Sequence, residues 1–269
     1  MTKDKNISNQ HLIYLKKRRR EKVLIYLFRA IVLVAVLCLW EVLARTKIID
    51  SFITSYPSEI AVTIFKLFKE SELTKHIGIT LYETFIGFLI SVIIGYVTAL
   101  ILWWSERLRK VLEPYIVILN SLPKIALGPI IIIWFGSGEK AIIAMAVLIS
   151  VIVCILTMLC GFLETDKNKI LLLKTFGANK FQIMYKLVIP QSLPTFINML
   201  KIALGMAWIG SIMGEYLVSK AGLGYLIVYG GQVFKLDLVM AATVVLLVLS
   251  GLMYASISLI EKLIIKHEQ

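Results

Sequence analysis

The stretch AIIAMAVLISVIVCILTMLCGFL, residues 141–163, runs for 23 residues without one charged side chain. A helix rises about 1.5 Å per residue, so this run is long enough to cross the roughly 30 Å of hydrocarbon in a bilayer. Lipid offers the backbone no hydrogen-bonding partner, and a helix satisfies its own N–H and C=O groups. The run therefore reads as a transmembrane helix, and the sequence on either side repeats the reading. Residues 115–135 form another apolar run, joined to the first by the tight turn Gly136-Ser137-Gly138. Further out lie runs at 23–44, 77–104, 194–217 and 236–259. The run at 77–104 ends in Trp103-Trp104, a pair suited to the aromatic belt of a membrane interface. The run at 23–44 holds Arg29 and Glu41 near its ends, where long side chains reach water. The expected fold is all-α and integral to the membrane, with six transmembrane helices.

Composition agrees. The chain is 59% hydrophobic and only 17% charged, with a mean hydropathy of +0.85. A soluble domain carries about a quarter charged residues. The net charge of +12 flanks apolar runs, a pattern of membrane orientation rather than nucleic-acid binding. With the N-terminus inside, segments 1–22, 105–114, 164–193 and 260–269 hold eighteen Lys and Arg, against eight in the outer segments. Both termini are thereby expected in the cytoplasm. Cys38, Cys154 and Cys160 all lie in apolar runs and read as small buried hydrophobes, since no CxxC or Cys/His spacing occurs. His11, His76 and His267 are scattered, so no metal site is expected. No cleavable signal peptide is evident.

Two connecting segments carry order. In the outer stretch 45–76, Pro57-Ser58-Glu59 is a helix start with Ser58 as candidate N-cap. Ile60, Ile64, Leu67 and Phe68 then share a face, which reads as a short amphipathic helix on the outer surface. The longest inner polar stretch, 164–191, reads as helix, turn, helix. Asp166 or Asn168 caps a helix over 169–176, Gly177 takes the left-handed position that ends it, and Asn179 caps a second with Phe181, Met184 and Leu187 on one side. Pro190 and Pro194 bracket entry to the next span. The result is a knob with Phe176 and Ala178 at its turn, shaped to seat in a partner's groove or to serve as a plain connector.

Gly177, followed at fixed spacing by Leu187-Val188-Ile189-Pro190, resembles the cytoplasmic signature of ABC importer permeases. The triplet that precedes the glycine in that signature, Glu-Ala-Ala, is here Leu171-Leu172-Leu173. Leu122-Pro123-Lys124-Ile125-Ala126-Leu127-Gly128-Pro129, Trp134-Phe135-Gly136-Ser137-Gly138, Ala207-Trp208, Gly214-Glu215 and Gly222-Leu223-Gly224 are similar to the nitrate/sulfonate/taurine/bicarbonate group of those permeases. The resemblance spans roughly residues 50–265 and implies a type I importer in a bacterial plasma membrane. It implies a second permease copy, a cytoplasmic ATPase dimer and an external solute-binding protein as partners. A basic cytoplasmic tail, 1–22, precedes a permease domain, 23–269, whose coupling loop is 164–191.

The resemblance also gives the loop residues a role. Lys174, Thr175, Phe176, Gly177, Ala178, Asn179, Phe181 and Pro190 become the expected ATPase-docking surface. For the pathway, Asn120, Ser121, Lys124, Met213 and Glu215 are the candidates. Pro123 bends its helix, so Asn120 and Ser121 either face a passing solute or satisfy the freed backbone. Lys124 either lends positive charge to an anion path or reaches the inner face. Glu215 lines or gates the path, pairs across a subunit interface, or sits at the membrane surface. Gly205, Gly210 and Gly214 suit close helix packing. Gly222-Leu223-Gly224 and Gly230-Gly231, with Tyr225 and Tyr229, form an outer segment that folds back, meets the binding protein, or is a plain loop.

No GxxxxGK[ST] motif occurs, so the chain is not expected to hydrolyse ATP; ATP and Mg belong to the partner, and this chain has no cofactor or catalytic residue. The expected cargo is a small anion such as a sulfonate, taurine, nitrate or bicarbonate, or alternatively a neutral or aromatic vitamin precursor. A secondary transporter would need coupling-ion sites and an inverted repeat, and neither is seen.

Overall fold

The apolar runs are all helical, and most helices extend beyond them. The computed structural model describes residues 9–46, 48, 55–70 and 72–265. The first eight residues of the basic tail, and Lys47, Lys266 and His267, lie outside the described residues. Helices Val23–Arg45, Glu72–Trp104, Glu139–Leu163, Leu193–Val218 and Leu236–Leu263 are each long and apolar enough to cross a bilayer. The sixth candidate crossing is a pair of helices, Glu106–Ser121 and Lys124–Phe135, bent by 88°.

The chain packs as two units, Met1–Val62 and Thr63–Gln269. In the first, α1 (Asn9–Arg45) presents apolar side chains such as Val32, Leu33 and Val36 outward along its length, as a lipid-facing helix does. At its end Glu41 pairs with Arg45 at 2.6 Å and accepts the Ser58 N–H at 3.0 Å. Helix α2 (Pro57–Lys69) exists as expected, but it begins at Pro57, so Ser58 lies inside the first turn rather than at the cap. Its hydroxyl donates to Glu41 Oε1 at 2.8 Å, because a carboxylate is the stronger acceptor within reach. Phe68 lies on the exposed side rather than with Ile60.

The second unit is built on α3 (Glu72–Trp104), α6 (Glu139–Leu163) and α10 (Leu193–Val218). Small residues let these backbones close up, as membrane helices require in the absence of a hydrophobic drive between them. A Cβ added at Gly210 would lie 2.5 Å from Ala146 Cα, and one at Gly95 would overlap Cys154. Ala99, Cys154, Met158, Phe162, Met199 and Ala203 fill the inner half of this core. Tyr96 meets Phe162 and Phe196 edge-on, with centroids 5.7 and 5.5 Å apart. Cys154 is buried as expected, whereas Cys38 and Cys160 lie on exposed helix faces. Helix α12 (Leu236–Ile265) joins α10 through Lys201 Nζ and Glu261 Oε2 at 2.6 Å, an ion pair that neutralises both charges.

The third crossing departs from expectation. A bent helix over 115–135 was the reading; the structure has α4 (Glu106–Ser121), a 3₁₀ turn (Lys124–Leu127) and α5 (Gly128–Phe135). Proline disfavours the helical region for the residue before it. Leu122 accordingly turns extended, with φ −66° and ψ 140°, and the helix stops rather than bends. The segment after Gly222 also departs from a plain loop: residues Leu223–Gln232 are a helix, α11.

Candidate functional site

The loop between the fourth and fifth crossings builds its knob from local signals. Helix α7 (Lys167–Thr175) starts at Asp166, whose Oδ1 accepts the Asn168 N–H at 2.8 Å. It ends in a Schellman turn: the Ala178 N–H reaches Leu173 O at 2.9 Å, and the Gly177 N–H reaches Lys174 O at 2.9 Å. Gly177 has φ +79°, which strains any residue with a Cβ. Asn179 then opens α8 (Lys180–Ile183) with a reciprocal box, its Oδ1 accepting the Gln182 N–H while Gln182 Oε1 accepts its own N–H.

A π-helical turn, Met184–Val188, follows before the short α9 (Ile189–Gln191). The ring of Pro190 would crowd the carbonyl of Lys186 in a regular helix and offers no N–H in return, so the turn widens. Sequence periodicity missed this turn. It places Ile183 and Val188 in the core and leaves Phe181 exposed, with Met184 and Leu187 half-buried.

The knob is thus two-faced. Ile183, Val188, Leu173 and Ala178 pack into the inner core beside Leu102 and Phe162. Leu171, Leu172, Phe176, Phe181 and Tyr185 point away from it, Phe176 with 77% of its surface exposed. Lys174, Thr175, Gly177 and Asn179 are exposed between them, as is Pro190. A cavity of about 320 Å³ at the tip is lined by Leu173, Phe176, Gly177, Ala178, Gln182 and Lys186.

One residue of this knob was not singled out from the sequence. Lys180 donates from Nζ to Trp104 O, the last carbonyl of α3, and lies 5.7 and 5.4 Å from the Trp103 and Trp104 ring centroids. A cation at a helix C-terminus and over aromatic faces is favourable on both counts. The Trp103-Trp104 pair was the available signal, read only as an interfacial belt.

The pathway candidates are not gathered in one place. Lys124 donates to Asn120 O at 3.1 Å and Oδ1 at 3.3 Å, so it satisfies the end of α4. Ser121 donates back to Val117 O at 3.2 Å. Met213 is half-buried against Ile131 and Met145. Glu215 is buried within this chain, at the start of α11. It accepts Thr80 Oγ1 at 2.6 Å and the Gly224 N–H at 2.5 Å. An apolar groove of about 680 Å³ runs beside the broken crossing, with Ile86, Leu127, Trp134, Phe135 and Val147 among its walls and Lys140 as its one charged wall residue.

Residues 91–266 match the family described as the binding-protein-dependent transport system inner membrane component. The chain belongs to this family. A probable ABC transporter permease of Haemophilus influenzae is 33% identical to it, across 87% of this chain and 95% of the relative. The formylaminopyrimidine transport permease of Halalkalibacterium halodurans is 33% identical, across 70% of this chain and 74% of the relative. The taurine transport permease of Escherichia coli is 23% identical, across 82% of each. The fold is that of the MetNI methionine ABC transporter in an inward-facing form, with a TM-score of 0.65 at 21% identity, covering 71% of this chain and 95% of the other. This permease is therefore an all-helical, non-catalytic membrane subunit of an ABC transporter. Its ATP hydrolysis is the work of a partner ATPase, and binding-protein dependence belongs to the family. The permease has an exposed apolar knob near one end of helix α3 and a buried polar cluster toward the other.

Proposed function

We propose that this chain is the permease of a binding-protein-dependent importer, working as a homodimer with both termini in the cytoplasm, and that the knob around Gly177 docks its ATPase. The observation that carries the reading is the two-faced knob: Phe176, Phe181 and Tyr185 stand exposed on a turn whose other face is locked into the core. Apolar side chains on a rigid support suit a groove on a soluble partner. ATP-driven closure of the partner dimer would draw two such knobs together and open the paired permeases outward, with the path lined by the third, fourth and fifth crossings.

For the cargo, we infer a small aromatic or neutral nitrogen heterocycle rather than an anion. Identity is higher to the formylaminopyrimidine permease than to the taurine permease. Lys124, the candidate anion ligand, is already engaged by Asn120, and the groove beside the broken crossing is apolar with two aromatic walls. The test is ATP-driven uptake into liposomes holding the complete importer, with labelled formylaminopyrimidine and labelled taurine. Uptake of taurine alone overturns the cargo reading. Gly177→Val is expected to uncouple ATP hydrolysis from uptake, and unchanged uptake in that variant overturns the docking reading.

A further inference from the structure

A buried polar cluster lies away from the knob, where α3, α10 and the first turn of α11 meet. It holds two carboxyl groups sealed from solvent, Glu83 at 2% exposure and Glu215 at 1%. The two carboxyl groups lie close enough to interact directly. None of the ion pairs found among the described residues reaches either one. The other titratable groups facing them bring no positive charge. His76 on α3 accepts the Gly222 N–H at Nδ1, so its ring is neutral. Glu139 on α6 adds a further acid, and Tyr216 on α10 is a phenol. Two ionised carboxylates cannot share such a place.

The hydrogen-bond inventory says which of the two is ionised. Glu215 has a donor on each oxygen, Thr80 Oγ1 on Oε1 and the Gly224 N–H on Oε2. The Thr80 hydroxyl in turn accepts the Leu223 N–H at 2.8 Å. The first N–H groups of α11, which carry that helix's partial positive charge, thus reach one carboxylate, Gly224 directly and Leu223 through Thr80. Glu83 receives no such donors, and its Oε2 has no partner. A bare oxygen is tolerable on a neutral acid and very unfavourable on a carboxylate. One turn inward, Thr84 Oγ1 and Ser211 Oγ are also fully buried without partners. Thr84 follows Thr80 by one turn of α3, and Ser211 precedes Glu215 by one turn of α10, so the unsatisfied atoms sit on the same two helices as the carboxyl pair.

We propose that Glu83 binds a proton and donates it in a hydrogen bond to ionised Glu215, and that this proton is a structural ligand clamping α3 to α10 beneath the first turn of α11. Glutamine reproduces a neutral, donating Glu83, whereas at Glu215 it turns an amide N–H₂ against a donor. Glu83→Gln is therefore expected to melt at the wild-type midpoint in thermal unfolding of the lipid-reconstituted protein. Glu215→Gln is expected to fall by about 5 °C or more.

The signature that packing alone would not give is infrared. The carbonyl stretch of a protonated carboxyl should be present in the wild-type spectrum at neutral pH and missing from Glu83→Gln. A band that survives in Glu83→Gln, or a melting loss as large as that of Glu215→Gln, overturns the proposal. If Glu83→Gln does not accumulate, the wild-type spectrum decides alone: no protonated-carboxyl band means no bound proton.

Discussion

Lys180 ties two parts of the chain that are far apart in sequence, the start of α8 and the end of α3. Its removal leaves the buried face of the knob intact, since Ile183 and Val188 anchor that independently. Lys180→Met is therefore expected to assemble normally but to import several-fold less solute per ATP hydrolysed, with Lys180→Arg close to wild type because a guanidinium keeps both the charge and the aromatic stacking. The measurement is the ratio of uptake to phosphate release in liposomes, and an unchanged ratio in Lys180→Met refutes the role.

At this scale the sequence was readable where a residue acts on its neighbours. Asp166, Gly177 and Asn179 are helix signals because their partners lie within a few positions. Lys180, Glu83 and the seating of Glu215 were not readable, because their partners are set by packing between helices far apart along the chain. Ser58 shows the same limit from the other side: the helix begins one residue before the expected cap, and Glu41 takes both the N–H and the hydroxyl of Ser58.

Elements tell a similar story. Each uninterrupted apolar run became a helix, since length and lipid leave no alternative. The run containing Leu122-Pro123 divided, and the bend of 88° came from one residue pair. Helix α11 was open in the sequence because Gly222 and Gly224 read as flexibility. In the structure they are there for want of space. Gly222 has φ +114°, and a Cβ on it would overlap the Glu215 carboxyl. Gly222→Ala is expected to destabilise the protein by about 2 kcal/mol or more, combining backbone strain with displacement of a buried carboxylate. Gly231→Ala, whose Cβ meets nothing within 4 Å, is the matched control and should be near neutral. Equal melting points for the two variants would contradict the packing described for Glu215.

For the whole molecule, composition alone placed the chain in a membrane, and the distribution of Lys and Arg predicts a direction for it. That direction has a simple check. Tyr185 on the knob and Phe65 on α2 are both exposed. In a background with the native cysteines replaced, Tyr185→Cys is expected to react with an impermeant thiol reagent only from the cytoplasmic side, and Phe65→Cys only from outside. The reverse pattern would invert the topology and detach the knob from any cytoplasmic ATPase.

Helix α3 runs from Glu72 to Trp104 with no proline, 33 residues long. At 1.5 Å per residue it is a rod of about 50 Å. Its inner tip is gripped by Lys180, and near its outer tip Thr80 and Glu83 grip α10 and α11. A stiff lever held near both ends cannot shift at one without answering at the other: a tilt of about 5° about one tip sweeps the other through about 4 Å. If the knob docks the ATPase as proposed, a push of a few ångströms there is expected to be felt at the far end of α3, with no moving part between.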